Sequence, residues 1–355
     1  MAAKSTSILG SDKEGEERRL EPEIVAESRP TIYDVARLAG VSKSLVSLVL
    51  HGSAGVGEKR RAAVLDAIVE LGYEPSRAAT TLAGNHSRSI GVVIDDYRNL
   101  WFVDLLEGIR HVMDDYGYHV TVSDQQMTGV LHQTAIDGFL SMHVEGIVLA
   151  AEAGNLGHRR INVPVVVAGA RDTEVSGADI VTNDDALGAT LAVEHLLDLG
   201  HRNIGHLTGK GGSAARRREA YEFAMKNIGL APLTIGHGGL TTDEGGYHSC
   251  AALLAACPAI TAVFAANDTM AFGALAALRE HGRSVPGDVS LMGYDNSPLA
   301  GSRYLDLSTI DDKSFDVGVQ AATTLLARIN HTDPTTRTIF IPPVLVTRSS
   351  TATLQ

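Results

Sequence analysis

Several side chains that could bind a small ligand come directly after short apolar segments of this chain. They include carboxylates and an amide, which suit the orientation of hydroxyl groups, and an aromatic pair whose flat faces suit a sugar ring or a planar base. A run of arginines, 216–218, could grip vicinal hydroxyls, a carboxylate or a phosphate through paired hydrogen bonds. The structural alternatives are an aromatic pair inside the core and a solvated helix face. The candidates besides the arginines are Asp95, Trp101, Phe102, Asn267 and Asp295.

Patterns that would indicate catalysis are weak. Segment 209–214 fits G-x-G-x-x-A, which binds dinucleotides when it follows a strand and opens a helix, but this fingerprint also needs an acidic residue about twenty positions later. Residues 228–238 contain none. His195, His201 and His206 lack the spacing of a catalytic or metal site, and two cysteines cannot form a disulfide framework or a four-ligand zinc site. We therefore predict no catalytic residue, no metal and no cofactor.

The elements that would position these side chains alternate between strand and helix from residue 89 onward. This alternation is typical of parallel sheets with crossover helices, the α/β class. Ligands of such folds bind at the carboxyl ends of the strands. Two sheets fit better than one, with a break near Thr182. The predicted strands are 90–94, 120–122, 147–150, 165–168, 204–207, 262–264 and 289–292, and the predicted helices are 101–116, 131–142, 185–199, 213–228 and 268–281.

Before this region, stretch 31–51 predicts two short helices joined by a tight turn. Gly40 follows the first helix, where a C-terminus favours positive φ, and Ser42 stands where the second helix needs an N-cap. Such a helix-turn-helix places its second helix in the DNA major groove. The outward residues of the second helix are Lys43, Ser44 and Ser47. A third helix is predicted over 58–72, with Val64, Leu65, Ile68 and Leu71 facing inward.

Charge is distributed unevenly along the chain, whose formal net charge is −12. Residues 31–88 carry seven Lys and Arg against five Asp and Glu, whereas residues 89–355 carry 18 against 30. A basic headpiece can approach phosphate, and an acidic body should repel it. The polar residues 1–30 predict a disordered tail. No apolar run is long enough to span a membrane, and the N-terminus has no secretory signal, so we predict a cytoplasmic protein without a membrane partner.

The headpiece resembles the DNA-reading domain of the lactose-repressor (LacI/GalR) family of bacterial transcription factors. The opening T-x-x-D-V-A-x-x-A-G-V-S is present as Thr31, Asp34, Val35, Ala36, Ala39, Gly40, Val41 and Ser42. Further family signatures follow in order, among them L-G-Y-x-P at 71–75, G-[YF]-D at 293–295 and the C-terminal T-R-S-S-T at 347–351. The resemblance implies an α/β protein with an all-helical helix-turn-helix headpiece and a two-lobed, periplasmic-binding-protein-like effector domain.

The resemblance also implies a domain organisation. After the tail 1–30 we expect a headpiece at 31–75, a hinge at 76–88 and an effector-binding and dimerisation domain at 89–355. The chain should cross between the two lobes three times. The expected N-lobe comprises 89–181 and 313–340, and the expected C-lobe comprises 182–312 and 341–351.

Residue roles follow from the same resemblance. Tyr221 marks Arg217 as the arginine that binds the effector, together with Asp95, Trp101, Phe102, Asn267 and Asp295, whereas Asp268 is expected to be a helix N-cap. Leu82 of the hinge is the expected minor-groove wedge. The family often has an acid at Gly169, a threonine at Leu45 and an arginine at Leu48, so both ligand and half-site should depart from the common ones. The predicted DNA-binding residues are Thr31, Tyr33, Ser42, Lys43, Ser44, Ser47, Leu48, Ala79 and Leu82.

These observations predict a sequence-specific transcriptional regulator, a repressor, that binds pseudo-palindromic operator DNA as a homodimer or a dimer of dimers. A small molecule between the lobes, a sugar or related metabolite, would control operator affinity. One alternative is a regulator of the same type signalled by a partner protein. A nucleotide-dependent α/β enzyme is a further, less favoured alternative.

Overall fold

A computed structural model describes residues 30–50, 55–73, 87–125, 134–152, 161–172, 174–236, 239–332 and 335–354. The chain divides into two compact units, Met1–Ala83 and Gly84–Gln355. The predicted tail before Pro30 and the predicted hinge up to residue 86, with Ala79 and Leu82, lie outside the described residues. Among the described helices, none combines the length and apolar character that crossing a membrane requires.

The first unit contains the helices α1 (Ile32–Leu38), α2 (Lys43–Leu50) and α3 (Glu58–Leu71). The Asp34 carboxylate accepts hydrogen bonds from the backbone N–H and the hydroxyl of Thr31, at 2.9 and 2.7 Å, which fixes the start of α1. Gly40 has a φ of +64° in the turn, as predicted. Ser42 caps α2, since its hydroxyl accepts a hydrogen bond from the Leu45 N–H at 3.3 Å.

A small apolar core holds the three helices together. The prediction that Leu65 faces inward is wrong, because half of this residue is exposed. Each residue turns an α-helix by about 100°, so Leu65 lies well off the inward face that its neighbour Val64 occupies. Ile68 and Leu71 pack against the core as predicted. The buried residues of this core are Val35, Ala36, Val46, Val49, Val64, Ala67 and Tyr73.

The second unit contains a six-stranded parallel sheet in the order β11-β5-β4-β3-β1-β2. Its inner strands β3 and β4 are continuous apolar runs, as expected for strands whose two faces are both covered by helices. Two of these helices approach closely through glycines: a Cβ at Gly318 would lie 2.2 Å from the Leu105 carbonyl oxygen. The strands are β1 (Ser89–Ile94), β2 (His119–Asp124), β3 (Gly146–Ala150), β4 (Val165–Ala168), β5 (Asp179–Asn183) and β11 (Thr338–Ile341), and the helices are α4 (Trp101–Asp115), α5 (Ala135–Ser141) and α10 (Ser314–Ile329).

The same unit contains a four-stranded parallel sheet in the order β7-β6-β8-β9 and a two-stranded antiparallel sheet. The four strands are β6 (Ile204–Leu207), β7 (Leu233–Ile235), β8 (Ala262–Ala265) and β9 (Ser290–Met292). Their helices are α6 (Asp185–Asp198), α7 (Gly212–Asn227), α8 (Asp243–Ala256) and α9 (Asp268–Glu280). The antiparallel pair is β10 (Thr309–Asp311) and β12 (Val344–Val346).

The predicted α/β class is confirmed, and most predicted elements lie within two residues of their observed positions. The helix predicted over 131–142 is an exception, since α5 begins only at Ala135, where Thr134 accepts a hydrogen bond from the Asp137 N–H. The chain leaves the six-stranded sheet after β5, returns through α10 after β10, and leaves again between β11 and β12. The carboxyl ends of strands from both parallel sheets therefore meet at one cleft.

Candidate ligand cleft and DNA-reading face

The cleft between the two parallel sheets has a volume of about 570 Å³, within the range of small-molecule sites. Its walls come from residues that follow β1, β3 and β4 on one side and β6, β7, β8 and β9 on the other. All six residues predicted to bind the effector lie together in this cleft. Asp95, Trp101, Phe102, Arg217, Asn267 and Asp295 line the cleft.

Arg217 is buried on the cleft wall and is surrounded by carboxylates. Its Nε donates to Asp185 Oδ1 at 2.7 Å, and its Nη1 donates to Asp295 Oδ1 at 3.2 Å. Its Nη2 lies 3.8 Å from Asp312 Oδ2. The guanidinium carbon stands 3.5 Å from the centre of the Tyr294 ring. Arg217 therefore holds an ionic cluster together, and a ligand hydroxyl would compete with these carboxylates for it.

In this ionic cluster, burial and the neighbouring charges shift the pKa values of the side chains in opposite directions. Burial raises the pKa of Asp295 well above its usual value although Arg217 opposes it, and burial raises the pKa of Asp312 to about 7. Burial tends to lower the pKa of Arg217, but Asp185, Tyr294 and the other acids raise it overall. Asp185 Oδ2 and Asp312 Oδ1 are buried without a partner among the described residues. The ionic cluster therefore retains acceptors that a small movement could offer to a ligand.

Trp101 and Phe102 belong both to the core and to the cleft wall. Both are at least nine-tenths buried, and their ring centres lie 5.1 Å apart in an edge-on arrangement. The Trp101 indole N–H donates to Asp312 Oδ2 at 2.7 Å. This hydrogen bond connects an aromatic residue at the start of α4 with the Arg217 cluster.

The start of α9 differs from the prediction in which residue caps the helix. Asn267 is the N-cap, and its side-chain oxygen accepts from the Met270 N–H at 2.8 Å. The prediction that Asp268 caps this helix is wrong, because its buried carboxylate accepts from the Ser297 N–H and the Thr309 hydroxyl, both at 2.7 Å. The Asn267 amide donates to the Thr241 carbonyl at 3.1 Å, so its polar atoms serve the fold as well as the cleft wall.

Gly169 stands after β4 where the resembled family often has an acid, and Arg171 follows two residues later. Gly169 has a φ of +80°, and a Cβ there would lie 3.2 Å from Arg171 Nη2 and from the Trp101 ring. The absent side chain leaves space for the Arg171 guanidinium, whose Nη2 donates to the carbonyls of Ala150 and Ala168 at 2.7 and 2.9 Å. A cation therefore stands beside the position where the family often has an anion.

Sequence reasoning missed several residues of the cleft and its wall. Asp185 follows β5 and Asp312 follows β10, so the strand-end argument would have found them if those strands had been recognised. Arg171 lies beyond its strand end and folds back, which only the structure reveals. The other cleft residues that were missed include Glu152, Lys210, Leu240, Asp243, Glu244, Phe272 and Leu299.

The side chains of His195, His201 and His206 make contacts that stabilise the fold. His206 is fully buried beside Tyr221 and Phe264, and burial lowers its pKa to about 3, which keeps the ring neutral. His201 contacts the hydroxyls of Thr261 and Ser290, each at 3.0 Å. His195 contacts the Thr351 hydroxyl at 3.0 Å. These contacts tie loops, strands and the C-terminal segment around the four-stranded sheet together.

The outer face of α2 presents three of the residues predicted to read DNA, Lys43, Ser44 and Leu48. Its inner face is buried through Val46 and Val49, and Leu45 is partly buried. Leu48 is 48% exposed, so it does not pack into the headpiece core. Lys43 Nζ lies 3.5 Å from the Tyr33 hydroxyl and 5.1 Å from its ring centre. The exposed members of the predicted set are Thr31, Tyr33, Ser42, Lys43, Ser44 and Leu48, whereas Ser47 is half-buried.

Comparison with known proteins identifies both parts of the chain. Residues 31–76 match the bacterial regulatory proteins of the lacI family, and residues 193–351 match a periplasmic binding protein-like domain. The ribose operon repressor of Haemophilus influenzae is 33% identical over 92% of this chain and 99% of its own length.

Solved structures agree with these matches. A lac repressor dimer bound to operator and the anti-inducer ONPF is 28% identical, with a TM-score of 0.80 over 92% of this chain and all of that one. A LacI-family regulator from Corynebacterium glutamicum is 40% identical, with a TM-score of 0.68 over 75% of this chain and 98% of that one. The chain therefore belongs to the LacI family of bacterial transcriptional regulators.

Proposed function

We propose that this protein is a sequence-specific repressor whose affinity for operator DNA is controlled by a small molecule bound in the cleft. The observation that carries the proposal is the combination, in one chain, of an exposed helix-turn-helix face and a cleft that contains a buried ionic cluster. A DNA reader without control would need no such cleft, and a binding protein without DNA would need no such headpiece.

The DNA contacts are assigned to the outer face of α2 and its surroundings. Lys43 and Ser44 read base edges or phosphates, and Tyr33 supports Lys43 through the contact between their side chains. Leu48 offers an apolar surface to a thymine methyl in place of a donor for guanine. The similar lac repressor binds its operator as a dimer, which supports a homodimer on a pseudo-palindromic operator here.

The ligand contacts are assigned to the cleft. Asp95 and Asp295 orient hydroxyls, Trp101 and Phe102 cover an apolar face, and Arg217 exchanges a carboxylate partner for the ligand. Ligand binding would change the balance between two arrangements of the lobes and hence operator affinity. A regulator signalled only by a partner protein is not favoured, because a vestigial cleft would not need buried charges that destabilise the fold.

Operator identification tests the proposal directly. Genomic footprinting of the full-length protein should recover pseudo-palindromic sites, and fluorescence anisotropy should give sequence-dependent affinity for them. Lys43→Ala should weaken binding by about tenfold and reduce its salt dependence. Lys226→Ala removes an exposed charge from α7 and serves as the matched control.

The two parts of the proposal can fail separately. Equal affinity for operator and scrambled DNA would contradict the role in DNA reading. If metabolites that bind the purified protein leave operator affinity unchanged, the proposed control by ligand is wrong.

A further inference from the structure

We propose, building on the function above, that the effector carries an anionic group, a carboxylate or a phosphate, and that this group binds at the start of α7 beside Lys210 and Arg171. The effector class is then a sugar phosphate or a sugar acid rather than a neutral sugar. Three features of the cleft wall support this assignment: the start of a helix, a largely buried arginine with one unpaired N–H group, and the distribution of acids.

The start of α7 faces the cleft without an anion of its own. Residues 210–214 line the cleft, and the 16-residue helix has no acidic residue in its first turn and no capping side chain. The backbone N–H groups of Gly212, Ser213 and Ala214 have no acceptor within the part of the chain that the structure describes. Free N–H groups and the helix dipole make such a terminus suitable for an anion.

Arg171 supplies an independent reason to expect an anion at this place. Its Nε is fully buried and has no hydrogen-bond partner among the described residues. The Nη2 bonds to Ala150 and Ala168 hold the guanidinium in place. Its Nη1 lies 3.9 Å from Asp95 Oδ2, and burial lowers the pKa of Arg171 although Asp95 and Glu152 oppose this. A buried donor without a partner is costly unless a ligand provides the acceptor.

Arg171 and the start of α7 are in direct contact across the cleft. A Cβ at Gly212 would lie 2.9 Å from the Arg171 backbone carbon and 3.0 Å from the Ala170 carbonyl oxygen. Glycine at this position therefore permits the loop after β4 to approach the first turn of the helix. The exposed Lys210 precedes the same turn, so two cations and the free N–H groups surround one region of the cleft.

The acids of the cleft follow other strands and helices, and the one nearest to Arg171 is Asp95, whose Oδ2 lies 3.9 Å from Arg171 Nη1. Asp95 follows β1 and Asp295 follows β9, where they can orient hydroxyls. Asp243 and Glu244 stand in the first turn of α8 and offset the dipole of that helix. The Glu152 carboxylate accepts hydrogen bonds from the Asp172 N–H. The cleft thus suits a ligand that is anionic at one end and hydroxylated at the other.

Titration calorimetry of the full-length protein with inorganic phosphate, at constant ionic strength, tests the inference. We expect saturable binding that Lys210→Ala weakens by about tenfold, since one charge-assisted hydrogen bond corresponds to a factor of that size. Lys210 is exposed, so its removal should not affect folding. Lys226→Ala, on the last turn of the same helix, should leave phosphate binding unchanged. Absence of saturable binding, or equal loss in both variants, would overturn the inference.

A matched set of ligands then separates the two sources of the anion. Ribose 5-phosphate, ribonate and ribose share one carbon skeleton. Tighter binding of ribose 5-phosphate or of ribonate than of ribose supports the inference and identifies phosphate or carboxylate as the group. Tighter binding of ribose overturns it. Operator affinity of the free protein, measured in parallel by anisotropy, tests the proposed function independently, because it does not depend on the ligand's charge.

Discussion

The outer face of α2 and the ligand cleft present their polar side chains in opposite ways. On α2 the polar residues Lys43 and Ser44 are exposed, and the apolar residues behind them form the support. In the cleft, Arg217 and its carboxylate partners are buried and bond to one another. One surface exposes its polar side chains to solvent, whereas the other keeps its charged side chains buried and bonded to one another.

Because of this difference, we expect substitutions on α2 to change DNA binding and substitutions in the ionic cluster to change folding stability. An exposed side chain of α2 contributes little to folding, so its loss should change DNA binding alone. A buried ion whose partners remain behind costs several kcal/mol when it is removed. Stability measurements can therefore distinguish the two regions before any ligand or operator is known.

The largest expected effect is that of Arg217→Ala. Removing this cation leaves the buried carboxylates of Asp185, Asp295 and Asp312 without their countercharge, which should cost about 3–5 kcal/mol of unfolding free energy. Urea denaturation at neutral pH measures this loss. Lys226→Ala removes an exposed cation from the same helix and should change stability by at most about 0.5 kcal/mol. A similar small change in both variants would contradict the proposed electrostatic role of Arg217.

The second prediction concerns pH and Asp312. Its pKa is about 7 in the folded protein against 3.8 for an ordinary aspartate, so between these values the folded state binds more protons than the unfolded state. The stability that this group contributes is therefore present below about pH 4 and is lost as pH rises through 7, at up to about 1.4 kcal/mol per pH unit. Asp312→Asn should flatten this part of the profile from urea denaturation, whereas Asp114→Asn, at an exposed site, should not.

Fluorescence gives a second measurement of the same titration. Trp101 is the only tryptophan in the chain and donates its indole N–H to Asp312. Its emission should change with a midpoint near pH 7 in the wild type and remain constant through this range in Asp312→Asn. Asp295 is coupled to Asp312 through Arg217, so the midpoint belongs to the pair rather than to one carboxyl group. A wild-type emission independent of pH would show that Asp312 does not titrate there.

The sequence pattern reveals some of the strands and helices that form the cleft but not others. Strands such as β1 and β8 are largely continuous apolar runs, so their ends, and the polar residues Asp95 and Asn267 after them, were identifiable. Strands β5 and β10 were missed because one begins and ends with polar residues and the other is only three residues long. Helix α10 was not predicted because Gly, Ala, Ser and Thr form much of its buried face.

The position of Arg171 could not be predicted for a different reason. It depends on the space that Gly169 leaves and on carbonyl groups of two neighbouring strands, all of which are tertiary properties. On α2, by contrast, the periodic pattern identified Lys43 and Ser44 as exposed, because a short helix on a small core has only one inner face, although Ser47, predicted to point outward, is half-buried.

The third prediction tests readout on α2. Leu48→Arg should shift the preferred base at the position it faces toward guanine by about 1–3 kcal/mol, because a guanidinium can donate to both O6 and N7. Selection of half-sites from a random pool by wild type and variant measures the shift. Stability should be unchanged, since Leu48 is largely free of the core. An unchanged preference would mean that this side chain does not face the groove.

The smallest expected effect separates two neighbouring serines of the same exposed surface. Ser42→Ala removes the hydroxyl that accepts the Leu45 N–H and should cost about 1 kcal/mol of local stability, whereas Ser44→Ala removes no cap. Both should weaken operator binding. Only Ser42→Ala should speed hydrogen exchange of the α2 amides, by about fivefold, and Ser42→Asp should restore protection because aspartate also caps. Equal hydrogen exchange in both alanine variants would mean that the Ser42 cap contributes nothing to the stability of α2.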